Sequence, residues 1–103
     1  MHRFIGYRPS PPEYYHERGT AAPPDEPQYE GVVFTDGSVA LRWRTAFRSS
    51  SVWDSFFDFF HVHGHPEYGT RIEWLDGPAP GAEEIIAVHT AEVAARQAME
   101  VGP

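Results

Sequence analysis

A β-hairpin is the element that the sequence specifies most strongly. Asp36-Gly37 lies between the apolar runs of "EGVVFTDGSVALRWR", and this dipeptide between such runs is the strongest short hairpin signal. A two-residue turn pairs Thr35 with Ser38. One face of the ribbon is then apolar and consists of Val32, Phe34, Val39, Leu41 and Trp43. The other face carries Val33, Thr35, Ser38, Ala40, Arg42 and Arg44. Because a shift of one residue mixes the two faces, their distinct character favours this register.

An aromatic helix is predicted in "RSSSVWDSFFDFFHVHG". Ser51, with Asp54 three residues later, is typical of a helix N-cap. The apolar stripe of this helix has the spacing i, i+3, i+4 and i+7 and consists of Trp53, Phe56, Phe57 and Phe60. Gly64, in a left-handed conformation, is expected to end the helix, and Pro66 prevents its continuation.

A strand and a second helix complete the predicted domain. "TRIEWLD" alternates apolar and charged residues between turn signals, which is typical of a strand. The alanine-rich segment that follows has acids in its first turn, which favours a helix over about residues 82–100. The alternative is a strand over residues 84–88 and then a helix capped by Thr90. The sequence thus predicts an α+β domain with two layers, in which aromatic-rich helices cover one face of a three-stranded sheet.

The first 30 residues differ in composition from the rest of the chain. "RPSPPEYYHERGTAAPPDEPQYE" contains six prolines, which remove backbone donors and favour extended conformations. We therefore predict a loose arm over residues 1–30 and one small domain over residues 31–103. The opening "HRFIGYR" alternates well enough for a short edge strand.

Composition excludes several classes of protein. The 103 residues include 15 acids and 8 bases, a net charge of −7, which disfavours nucleic acid as a partner. The absence of cysteine excludes disulfides and thiolate ligands. No apolar run is long enough for a membrane span, so we expect a cytoplasmic protein without a membrane partner. The absence of lysine and asparagine points to a high-GC genome, such as that of an actinobacterium or one of its phages.

Three histidines alternate at the end of the aromatic helix, at His61, His63 and His65. Imidazole is a common metal ligand, so a zinc site is one hypothesis, with Glu67, Asp58 or His89 completing the ligand set. However, His61 and His63 lie about 200° apart around a helix and cannot share an ion. Histidine also stabilises a helix C-terminus. This capping role is favoured over zinc and over a catalytic or pH-sensing role, and we expect no cofactor.

Arginine and aromatic side chains are the best candidates for binding. Exposed arginines on a rigid sheet can hold a carboxylate or phosphate, although pairing with Glu73 and Glu30 across strands is the simpler expectation. Tryptophan, tyrosine and arginine also dominate the energetics of protein interfaces. The candidate binding residues are Arg42, Arg44, Arg71, Trp43, Tyr14 and Tyr15. No spacing singles out a catalytic constellation, so no residue is assigned a catalytic role.

The segments "FTDGSVALRWR", "RSSSVWDSF" and "HVHGHPEYGTRIEWLD" resemble a family of small proteins from actinobacteria and their phages. Its pattern is F-x-D-G, then R-W, a serine-led helix, H-G-H and T-x-I-x-W-L-D, over about residues 31–76. "PEY" stands where the pattern has a shorter link before Gly69. The resemblance implies origin and domain limits, and it transfers no catalytic residue.

These features favour a non-enzymatic protein-interaction module, of phage or accessory origin, that binds a host or sister protein. The alternative is a protein that binds a small anion or a metal through the Arg42/Arg44 face or the His63/His65 pair. Homodimerisation through a hairpin edge or the terminal helix is a third possibility.

Overall fold

A five-stranded antiparallel sheet with the strand order β4-β3-β2-β1-β5 forms the centre of the protein. The computed structural model describes residues 1–100. The strands are β1 His2–Tyr7, β2 Tyr29–Val33, β3 Val39–Trp43, β4 Ser50–Trp53 and β5 Arg71–Trp74. The helices are α1 Glu13–Glu17, α2 Phe56–His63 and α3 Ala82–Glu100, with a 3-10 helix at Pro66–Tyr68. The predicted α+β class is confirmed, with five strands in place of three.

β1 lies inside the sheet and not at its edge. It pairs with β2 on one side and with β5 on the other. Arg3 fixes the β5 side through two hydrogen bonds of 2.8 Å from its guanidinium to the Asp76 carboxylate, and its backbone N–H donates a third. The expectation of a short strand in these residues is therefore confirmed, but its position at an edge is wrong, and β1 belongs to the same sheet as the strands beyond residue 31.

The β2–β3 hairpin is present, but its register differs by one residue from the prediction. Val33 pairs with Val39. Gly37, with φ 89°, donates to the Phe34 carbonyl, and Phe34 donates to the Ser38 carbonyl. This is a three-residue loop with a left-handed glycine. Val33 therefore faces the core, whereas Phe34 is exposed. The predicted apolar face was wrong for β2 because three successive apolar residues hide the alternation.

The serine-led segment forms a strand before it forms a helix. Ser50–Trp53 pairs with β3 as β4. Ser55, not Ser51, is the N-cap of α2, and its hydroxyl accepts a hydrogen bond of 3.1 Å from the Asp58 backbone N–H. The predicted stripe is consequently wrong in two members, because Trp53 lies on a strand and Phe57 is exposed.

The end of α2 also differs from the prediction. Gly64 has a right-handed conformation with φ −64°, and the left-handed residue is His65, with φ 43°. A side chain at Gly64 would place its Cβ against the Phe60 carbonyl oxygen. Glycine is thus required at this position for close approach and not for a left-handed turn.

The core is an aromatic cluster between the sheet and α2. Phe4, Tyr29, Phe59 and Phe60 are fully buried and meet mainly edge to face. Edge-to-face pairs add a directional contribution to the burial of apolar area. Gly31 leaves room for this cluster, because a Cβ there would lie 2.4 Å from Cζ of Phe4.

The terminal helix α3 runs from Ala82 to Glu100, which confirms the predicted helix. The alternative strand over residues 84–88 is absent from the described chain. It packs against α2 and the 3-10 helix, and it buries only Ala82, His89 and Val93. This narrow contact explains its weak apolar stripe. Within residues 1–100, no helix combines the length and the apolar character that a membrane span requires.

Candidate functional site

The three alternating histidines point into three different environments. His61 faces α3, where its ring centroid lies 4.3 Å from that of His89. His63 lies between the Trp43 and Trp53 rings, with centroid distances of 5.1 and 5.2 Å. His65 stacks on Tyr68 and places Nδ1 2.8 Å from the Glu67 carboxylate. The structure therefore does not bring the three predicted metal ligands together.

The predicted arginine stripe lies on the outer face of the sheet, away from α2. Arg44 is 3.3 Å from the Glu30 carboxylate, and Arg71 is 3.5 Å from that of Glu73. Arg42 makes a long hydrogen bond of 3.4 Å to the Ser50 hydroxyl. Exposed pairs of this kind contribute little to stability.

Trp43 and Tyr15 lie elsewhere, on the inner side of the sheet. They line an open cavity of about 350 Å³, which we call the arginine pocket. Tyr14, the remaining predicted binding residue, is exposed, and its ring centroid lies 4.4 Å from that of Tyr15, with the two rings tilted. The side chains that line the arginine pocket come from α1, β3, α2 and the connecting loops, including the residue after β1: Arg8, Tyr15, Thr20, Gln28, Trp43, Thr45, Phe47, Ser49, Val62, His63 and His65.

Arg8 is the one arginine among the described residues that line this pocket. Its guanidinium carbon lies 5.4 Å from the centroid of the Trp43 ring and 5.6 Å from that of Tyr29. Nη2 donates to the backbone carbonyl of His63, at the negative end of α2. Nε is buried and has no hydrogen-bond partner among residues 1–100. Within residues 1–100, the arginines that form ion pairs are Arg3, Arg44 and Arg71. Arg8 therefore has no carboxylate partner among these residues.

Burial dominates the electrostatics of the arginine pocket. Burial lowers the pKa of Arg8, while Tyr29, Tyr68, Tyr15 and Glu67 act in the opposite direction. Arginine nevertheless keeps its charge at neutral pH. Burial also lowers the pKa of His63, and the nearby charges of Arg8 and His65 lower it further. At neutral pH Arg8 is therefore charged, and the His63 imidazole beside it is neutral.

The proline-rich segment builds one wall of the pocket. The Gln28 backbone donates to the Gly6 carbonyl, and its side chain donates to the Thr20 carbonyl and accepts from Ala22, all between 2.8 and 3.0 Å. Ala46 N–H donates to the Gly19 carbonyl at 3.0 Å. These contacts tie the segment between β1 and β2 to the far end of β3.

Sequence reasoning missed Arg8, although a signal was available. Side chains at alternate positions of a strand share a face. His2, Phe4 and Gly6 occupy the inward positions of β1, and Arg8 follows in the same alternation. A charged residue in the inward register of a strand is unusual and marks a site that needs a polar partner.

The arginine pocket has the chemistry of an anion-binding site. A guanidinium matches the geometry of a phosphate or carboxylate. Thr45 and Ser49 add hydroxyl groups, whereas the Thr20 hydroxyl donates to the Tyr15 carbonyl. The aromatic walls suit a flat apolar group. Clefts of a few hundred Å³ with apolar walls and a few convergent polar groups are typical small-molecule sites.

Comparison with protein families gives a match over residues 29–76 to the family described as "Acb5 phage protein". The matched segment contains β2 to β5 and α2, including the Trp43 and His63 sides of the arginine pocket, and it ends before α3. The match confirms the predicted resemblance to a phage protein family. Comparisons with curated proteins and with solved structures give no match.

Proposed function

We propose that the chain is a phage-encoded, cytoplasmic accessory protein that binds a small organic anion in the arginine pocket and is not an enzyme. The observation that carries this proposal is Arg8, a cation enclosed by aromatic rings with no carboxylate partner among residues 1–100. Removing a charge from water is costly unless it is paired. The end of α2 and the two rings offset part of this cost, and a bound anion would offset more.

The ligand class follows from the groups that line the pocket. The Arg8 guanidinium favours a phosphate or carboxylate, which can accept two parallel hydrogen bonds. Trp43, Tyr15 and Phe47 favour a planar ring next to that group. We therefore expect an aryl phosphate or aryl carboxylate to bind better than inorganic phosphate.

Calorimetric titration with phenyl phosphate, benzoate and inorganic phosphate tests this proposal. We expect the aryl anions to bind with a Kd of about 1 mM or tighter. Arg8→Met removes a charge-assisted hydrogen bond and should weaken binding by about 10- to 100-fold. Arg8→Lys keeps the charge without the planar fork and should recover part of the loss.

Arg48→Met is the matched control, because Arg48 is exposed and does not line the pocket. Each variant is first checked for folding by circular dichroism. Equal affinity of the Arg8→Met variant and the unmodified protein for phenyl phosphate, or an equal loss in the Arg48→Met variant, would contradict the proposal.

A protein partner on the outer face of the sheet is the second candidate function. The observation that favours it is an uncovered sheet face, on which Val52 is 77% exposed and lies opposite Ala40 at the β4 edge. Arg42 lies on the same face. A partner with acidic residues around an apolar anchor would suit this face. In a pull-down from a high-GC actinobacterial lysate, a specific protein lost from an Arg42→Ala/Arg44→Ala bait would support it. A protein captured equally by both baits would argue against this face.

A further inference from the structure

We infer that His61, His89 and Glu92 form a binding site for a divalent transition-metal ion between α2 and α3. His61 lies on α2, and the other two residues lie one turn apart on α3. One potential ligand atom from each residue lies within 4.8 Å of the other two. His63 and His65 are not part of this set, which shares His61 and His89 with the ligands considered in the sequence analysis.

The distances are close to those of a metal site. Nε2 of His61 lies 4.0 Å from Oε2 of Glu92, and Nδ1 of His89 lies 3.8 Å from the same oxygen. Ligand bonds of about 2.1 Å in a tetrahedral zinc site place neighbouring ligand atoms about 3.4 Å apart. The three ligand atoms would therefore have to move only slightly closer together to bind an ion. The exposed Glu92 side chain is free to rotate toward the two rings.

The histidine ring nitrogens are oriented for this role. Nδ1 of His61 lies 2.8 Å from the Phe57 carbonyl oxygen, so Nδ1 carries the proton and Nε2 presents its lone pair to Glu92. Metal-bound histidines are commonly fixed by such a bond from the second nitrogen. This bond and the stacking of His61 on Phe57, at 4.0 Å, hold the ring in place without any ion.

His89 supplies an independent indication of a missing ligand. Its side chain is 8% exposed, and its Nδ1 has no hydrogen-bond partner among residues 1–100. Buried polar atoms in native proteins nearly always have partners. A metal ion between His89 and Glu92 would satisfy this nitrogen and would join α3 to α2.

The ligand set indicates the kind of ion. Two imidazoles and one carboxylate suit zinc and neighbouring transition metals, whereas magnesium and calcium prefer oxygen ligands. The adjoining open cavity has a volume of about 330 Å³ and leaves a coordination position for water or an anion. Arg96 lines the same cavity and opposes a cation there, while Glu67 and Glu100 counter its charge.

Metal titration of protein without a histidine tag tests this inference. After treatment with chelator, the protein is titrated with Co²⁺, followed by the visible absorption of the ion, and then with Zn²⁺ in competition. We expect one equivalent to bind. His61→Gln and Glu92→Gln should each weaken zinc binding by about 10-fold or more, since even second-layer residues have effects of this size.

Matched controls separate this site from surface binding and from the arginine pocket. His16→Gln and Glu83→Gln, both at exposed positions outside the cluster, should leave zinc affinity unchanged. Arg8→Met should also leave it unchanged, so the two sites succeed or fail separately. Absence of zinc binding, equal affinity in the His61→Gln and Glu92→Gln variants, or loss of binding in the His16→Gln variant would overturn the inference.

Discussion

Replacing Tyr29 by phenylalanine should stabilise the protein. The Tyr29 side chain is fully buried, and its hydroxyl has no hydrogen-bond partner in the described chain. Burial raises the pKa of Tyr29, so the hydroxyl is neutral at pH 7. A buried hydroxyl without a partner costs about 1–3 kcal/mol. The ring keeps its contacts with Trp43 and Phe59 in the variant, because only the oxygen atom is removed.

We therefore expect Tyr29→Phe to raise the free energy of unfolding by about 1 kcal/mol. For a domain of this size, that change corresponds to an increase in Tm of about 4–8 °C. Urea denaturation with an unchanged m-value measures the effect directly. Tyr14→Phe, at an exposed position, should change stability by less than about 0.5 kcal/mol. A loss of stability in the Tyr29→Phe variant would contradict this prediction, because it would show that the Tyr29 hydroxyl has a hydrogen-bond partner in the folded protein.

Three further substitutions test the N-cap of α2, the packing of the core and the ion pair between Arg3 and Asp76. Ser55→Ala should lower the free energy of unfolding by about 1 kcal/mol, measured by urea denaturation, because it removes the N-cap of α2. Gly31→Ala should lower it by about 1–3 kcal/mol, because its Cβ would overlap Phe4; an unchanged midpoint would contradict this packing. The hydrogen bonds from Arg3 hold the pKa of Asp76 well below its usual range. Their stabilisation is present above the unfolded pKa near 4 and is lost as pH falls below it, so Asp76→Asn should flatten the acid side of the stability curve measured by thermal unfolding.

The sequence predicted the elements whose local signals agree. α3 and β5 lie where alanine content and strict alternation place them. The α+β class follows from these elements and from the hairpin. The hairpin register was wrong because Asp36-Gly37 suits both two-residue and three-residue loops. The three-residue loop is selected only by the pairing of β2 with its neighbours, because this pairing places Tyr29 in the core.

The elements that were missed depend on contacts between distant parts of the chain. β4 contains serines that favour a helix cap locally, and pairing with β3 overrides that preference. β1 is stabilised by neighbours on both sides, including Asp76, which lies 73 residues from Arg3. Proline content favours little regular structure between β1 and β2, where the structure has the short helix α1. It says nothing about how Gln28 ties that segment to the sheet.

The candidate sites were predicted only in part. Trp43, Tyr15 and His63 line the arginine pocket, but the cation at its centre is Arg8 and not the arginines of the outer face. The sequence identified His61 as a potential metal ligand and His89 as one of three residues that could complete the set, but it did not identify Glu92. Their convergence depends on how α3 packs on α2, which no local pattern specifies.

Anion binding by the Arg8 guanidinium can be observed at the guanidinium itself. The most direct measurement follows the ¹⁵N–¹H resonance of Arg8 Nε during titration with phenyl phosphate, with the Trp43 indole resonance as a second reporter. We predict that both resonances shift and saturate together, at the affinity found by calorimetry. Shifts confined to Arg42, Arg44 and Arg48 on the surface, or no saturable shift at Arg8, would contradict the account.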